Sequence, residues 1–111
     1  MYIFKKIYLA AIDLYYKKFG TYRMIFESDI PDAPIAGILY LVGDNHKAWI
    51  AAMRCPCGCG KTLEMNLLPD AKPVWKYSAH TNANPTLHPS IWMHTGCKCH
   101  FWLKNGRIIW V

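Results

Sequence analysis

The chain opens with apolar residues at helical spacing and then changes period. Over residues 2–19, Ile3, Ile7, Ala10 or Ala11 and Leu14 recur every three or four positions, which predicts one amphipathic helix. Gly20, just past Lys17 and Lys18, is a suitable stop for it. The aromatic residues Tyr2, Phe4, Tyr8, Tyr15, Tyr16 and Phe19 read as packing positions around that helix. Asp29, Pro31, Asp32 and Pro34 then mark a loop between Ser28 and Ala36.

From Gly37 onward the pattern is that of β-structure. Gly37 to Val42 is a strand run, Gly43-Asp44-Asn45 is turn chemistry, and Lys47 to Met53 reads as the antiparallel return. Thr62 to Leu67 alternates polar and apolar, as a half-exposed strand does. Pro69 and Pro73 bracket a turn before a short strand over Val74 to Tyr77, and Ser78 to Pro85 reads as loop. Thr86 to Trp92 is mixed, and Pro89, which cannot donate to a ladder, confines it to an edge or a turn. Asn105-Gly106 between two apolar runs is a strong hairpin signal. The expectation is a single α+β domain of 111 residues, mostly β. It has an N-terminal helix and extension over 1–27 and a small antiparallel β domain over 37–111.

Composition supports a folded chain: 53% of residues are hydrophobic and only 18% charged. The net charge of +6 is compatible with nucleic-acid binding, but the basic residues are scattered, with Lys5-Lys6 and Lys17-Lys18 the only doublets. They read first as a solubility charge. The apolar run from Ile7 to Ile12 is too short for a signal-peptide core, and no stretch approaches a membrane span.

All five cysteines lie in two stretches, Cys55-Pro-Cys57-Gly-Cys59-Gly60 and Cys97-Lys-Cys99-His100. An odd count at such close spacing does not suit a disulfide framework. It suits a metal site in a reducing, cytoplasmic setting. Zinc takes four thiolate or imidazole ligands at tetrahedral angles, commonly two from each of two tight turns. Cys97 and His100 have the spacing of one such turn, directly before the hairpin. Cys55, Cys57 and Cys59 supply the other, with Gly58 and Gly60 to let the backbone bend. With Cys99 there are six candidates for four positions. The surplus of ligands, the lack of an HExxH or deaminase pattern and the scarcity of nearby carboxylates favour a closed, structural zinc in a zinc-ribbon-like domain.

His88 and His94 are further candidates as ligands, as supports for ligands, or as partners of Ser90 in a nucleophilic pair. Trp75, Trp92, Trp102 and Trp110 are expected to build the small core and cover the zinc.

Taken in order, Gly37-Ile-Leu-Tyr-Leu-Val42, Cys55-Pro-Cys-Gly-Cys-Gly60, Leu67, Pro69, Trp75, Thr86-Leu-His-Pro-Ser-Ile91, Cys97-x-x-His100-Phe-Trp and Gly106 to Val111 resemble a bacterial family of small zinc-binding proteins of unknown function. The resemblance covers residues 37–111. It implies Cys55, Cys57, Cys59, Cys97 and His100 as the metal set for one zinc ion, with Cys99 where a serine is commoner and Ser90 in a recurrent Pro-Ser-Ile element. The family is associated with ubiquitin-like conjugation operons and mobile elements, which implies an accessory or adaptor role with a protein partner. A nucleic-acid-binding zinc ribbon and a peptidase-like zinc hydrolase are the alternatives.

Overall fold

The computed structural model describes residues 20–44, 47–79 and 84–111, together with Ile7, Ala10, Ala11, Leu14 and Tyr16. Among these residues there are eight strands and no helical element: β1 (Arg23–Glu27), β2 (Ile38–Asp44), β3 (Lys47–Arg54), β4 (Thr62–Asn66), β5 (Lys76–Ala79), β6 (Pro85–Trp92), β7 (His100–Lys104) and β8 (Arg107–Trp110). The molecule is therefore mainly β, which corrects the α+β class with its N-terminal helix. Most of the helix expected over 2–19 falls outside the described residues. The five described positions have helical backbone, and four of them are exposed. Ile7 and Leu14, the anchors of the expected apolar face, are 63% and 68% exposed. A short helix draws its stability from burying such a face, so its period alone does not secure the element.

The strands form two four-stranded sheets, ordered β1-β2-β3-β4 and β5-β6-β7-β8. All neighbours are antiparallel except β1 and β2, which run parallel with Arg23 opposite Ile38. β2 is apolar without alternation because both of its faces are covered. Leu39 and Leu41 face the main core, while Ile38, Tyr40 and Val42 pack beneath Ile25, Ile30 and Ile35. The main core joins the two sheets. Leu39, Leu41, Ala51, Met53, Leu63 and Met65 of the first meet Leu87, Ile91, Phe101 and Leu103 of the second. The tryptophans do not build it. Trp92 and Trp110 are about half exposed (56% and 52%), and Trp75, only partly buried, packs against the core from outside it.

β6 is an interior strand, paired with β5 on one side and β7 on the other, and not the edge that Pro89 predicts. Between Leu87 and Ile91 it advances four residues while β7 moves only from Leu103 to Phe101. Pro89 falls inside this irregular interval, where no donor to β7 is required. Both Leu87 and Ile91 still point inward, and Ser90 is carried on the bulged segment between them.

The Asn105-Gly106 turn joins β7 and β8 as the sequence predicts. Gly106 has φ +79°, and its N–H donates to the Pro85 carbonyl (2.7 Å) while its carbonyl accepts from the Tyr22 N–H (2.6 Å). The hairpin tip is thereby tied both to β6 and to the segment that leads into β1.

Candidate functional site: a thiol cluster beside a serine–histidine pair

Two features meet at one end of the second sheet. The first is the thiol cluster. The chain leaves β3 at Arg54 and turns tightly, with the Cys55 N–H donating to the Lys61 carbonyl (2.8 Å) and the Gly58 N–H to the Cys55 carbonyl (3.2 Å). Gly58 and Gly60 take φ +89° and +86°, where a side chain would be strained. The second turn lies between β6 and β7 and is closed by the Met93 N–H donating to the Cys99 carbonyl (2.8 Å). These turns bring the Sγ atoms of Cys55, Cys57, Cys59 and Cys97 within 4.8 Å of one another. Cys55 Sγ lies 3.2 Å from Cys57 Sγ and 3.7 Å from Cys97 Sγ.

A tetrahedral metal with bonds to sulfur of about 2.3 Å has sulfur–sulfur edges of about 3.8 Å. Four thiols at the observed spacing fit one such ion, and zinc is compatible with the donor set. The electrostatics agree. The Cys99 N–H, donating to Cys97 Sγ, lowers the Cys97 thiol to about 6. Burial pushes Cys55 up to about 12, and the hydrogen bond shared with Cys55 raises Cys57 to about 12. Four adjacent thiolates repel, so protons are retained unless a cation replaces them. Cys99 is buried with its Sγ 3.3 Å from Cys55 Sγ, outside the group of four, and burial raises its thiol as well.

His100 also stands outside that group. Its Nε2 lies 3.0 Å from Ser90 Oγ, within hydrogen-bond reach. β7 begins at His100, so the residue three positions after Cys97 is also the first of a strand in register with β6, opposite Trp92. Trp92 stacks on the imidazole with ring centroids 4.8 Å apart and an 8° angle between planes. His94 packs against Trp92 at 4.4 Å. Trp75 Nε1 donates to the Ser90 carbonyl at 3.4 Å, anchoring the bulge. Trp75 is placed by its own N–H donating to the Asn66 carbonyl, beside a loop that the Asn66 side chain clasps through the Leu68, Ala71 and Pro73 carbonyls.

Of the residues singled out from sequence, then, Cys55, Cys57, Cys59 and Cys97 come together. Ser90 pairs with His100, not with His88 or His94. His88 is exposed and lies against Trp102, with ring centroids 5.8 Å apart. The serine–histidine pair is the site that spacing does not reveal. The Pro-Ser-Ile element marks Ser90, but nothing local connects it to His100.

A serine hydroxyl bonded to an imidazole is the minimal unit of nucleophilic acyl transfer. No described helix is long and apolar enough to cross a membrane. No curated protein and no solved structure matches the chain. The model of one protein family matches residues 26–111, and the chain belongs to that family, described as the bacterial ubiquitination-like system serine protease (BubE).

Proposed function

We propose that this protein is a serine hydrolase that cuts peptide-type bonds in a bacterial ubiquitin-like conjugation system, with Ser90 as nucleophile and His100 as general base. The observation that carries this reading is the 3.0 Å approach of Ser90 Oγ to His100 Nε2. The family description supplies the context.

The roles follow from the geometry. With Nε2 unprotonated, His100 accepts the Ser90 hydroxyl proton as Oγ attacks the scissile carbonyl carbon. The carbon–nitrogen bond breaks as His100 returns that proton to the departing amine, leaving an acyl ester on Ser90. A water then attacks the ester, His100 takes its proton, and the carboxylate leaves as Ser90 is reprotonated. No aspartate or glutamate follows Asp70, so no acidic side chain of the second sheet holds the imidazole. Trp92, stacked in parallel on His100, takes that place: it fixes the ring plane, and its π-face favours the imidazolium formed during attack.

Cys55, Cys57, Cys59 and Cys97 are assigned to one structural zinc ion. It supplies a cross-link between the two turns and takes no part in acyl transfer. The cross-link sets the turn before β7 and hence the position of His100 against Ser90. This division keeps His100 free of metal and available as a base.

A fluorophosphonate probe tests the reading directly. It is expected to label Ser90, to leave S90A unlabelled, and to react at least about a hundredfold more slowly with H100A. A folded wild-type protein that resists the probe at Ser90 would sink the proposal.

A further inference from the structure

The net charge of +6 is very unevenly placed. Because no acid follows Asp70, Lys72, Lys76, Lys98, Lys104 and Arg107 stand unopposed within residues 71–111, and this segment carries five of the six net charges. Their distribution over the second sheet can be read from the strand register. Successive strand residues alternate between faces, so His100, Trp102 and Lys104 of β7 share the outer face while Phe101 and Leu103 point into the core. Arg107 lies opposite Lys104, and Lys76 opposite His88, and cross-strand partners share a face. Three exposed cations, Lys76, Lys104 and Arg107, therefore lie on the same face as the Ser90–His100 pair.

The face is also polarised along the strand. The serine–histidine pair sits at the start of β7, and Lys104 with Arg107 forms the far end. Lys104 lies four positions along the strand from His100, about 13 Å at a rise of about 3.3 Å per residue. Trp102 lies between them, with Lys104 Nζ 6.0 Å above its ring and His88 on its flank. An extended peptide has the same rise as the strand it lies over. A residue four positions from the bond at Ser90 thus reaches Lys104 and Arg107, and an apolar side chain in between rests on Trp102.

Building on the serine hydrolase reading, we propose that this face selects substrate segments that bind extended and carry an aspartate or glutamate about four residues from the scissile bond. The complementarity is electrostatic, so it acts on encounter and register and weakens as salt screens it. The occupant is a stretch of acidic protein chain. Nucleic acid would use the same cations without the positional requirement.

The test is cleavage of a random-sequence peptide library by the full chain, with the cut sites read by mass spectrometry. Acidic residues are expected to be enriched about fivefold four positions from the cut at low salt, an enrichment appropriate to exposed charge pairs. It should fade at high salt. K104Q/R107Q is expected to cut with the enrichment gone, and K104E/R107E to favour basic residues at that position. These side chains are exposed, so an unchanged thermal transition verifies that the variants fold. Wild-type cutting with no acidic preference overturns this proposal and leaves the hydrolase reading standing. A library left uncut, with Ser90 unlabelled by fluorophosphonate, overturns both. Competition by a single-stranded oligonucleotide that K104Q/R107Q abolishes, without any acidic preference in the cuts, assigns the face to nucleic acid and also overturns the proposal.

Discussion

The Trp92 indole lies parallel to the His100 imidazole, with ring centroids 4.8 Å apart and 8° between their planes. The two residues face each other across the β6–β7 ladder, so backbone pairing holds both rings in one register. Trp92 is 56% exposed, which means that its value is not chiefly in core packing.

Replacing Trp92 should therefore act on turnover more than on stability. W92L is expected to lower kcat about tenfold with little change in KM, since a stacked pair is worth about 0.5–1.5 kcal/mol. W92F keeps an aromatic face over the imidazole and should recover most of the loss. Equal kcat in W92L and wild type would remove Trp92 from the mechanism.

The thiol cluster makes a prediction about protons. At pH 7.5 without metal, Cys97, lowered to about 6, is already ionised, whereas Cys55 and Cys57, raised to about 12, are protonated. Zinc binding must displace at least the protons of Cys55 and Cys57. Titration of metal-free protein in weak buffer should release two or more protons per zinc. The stabilisation by metal should then fall as pH falls, because protons compete for the thiolates. Chelation at neutral pH should lower the thermal transition and abolish fluorophosphonate labelling together. Retained labelling after complete metal removal would separate the cluster from the serine–histidine pair.

The hairpin tip tests how the second sheet is tied to the rest. Gly106 has φ +79°, and a Cβ there would come 2.7 Å from Thr21 Cγ2 and 2.9 Å from the Tyr22 carbonyl oxygen. G106A combines backbone strain with a backbone clash and should cost about 2 kcal/mol or more. A denaturant midpoint indistinguishable from wild type would contradict this account of the turn.

The elements legible from the chain are those whose cause is local. The apolar run of β2, the alternation of β4, the glycines beside Cys57 and Cys59, and the Asn105-Gly106 turn each carry their signal within a few residues. β1 carries no such local signal, because Arg23–Glu27 is an edge strand that gains its place by pairing in parallel with β2. The N-terminal period was just as local, yet Ile7 and Leu14 are 63% and 68% exposed.

The functional site divides along the same line. Close-set cysteines mark a candidate metal site by themselves, because thiols two residues apart on a tight turn are already near one another. The partner of His100 is a different kind of fact. It depends on the pairing of β6 with β7 and on the bulge around Pro89 that carries Ser90 to within 3.0 Å of the imidazole. The Cys97–His100 spacing is legible along the chain, whereas the approach of Ser90 to the same histidine exists only in the folded sheets.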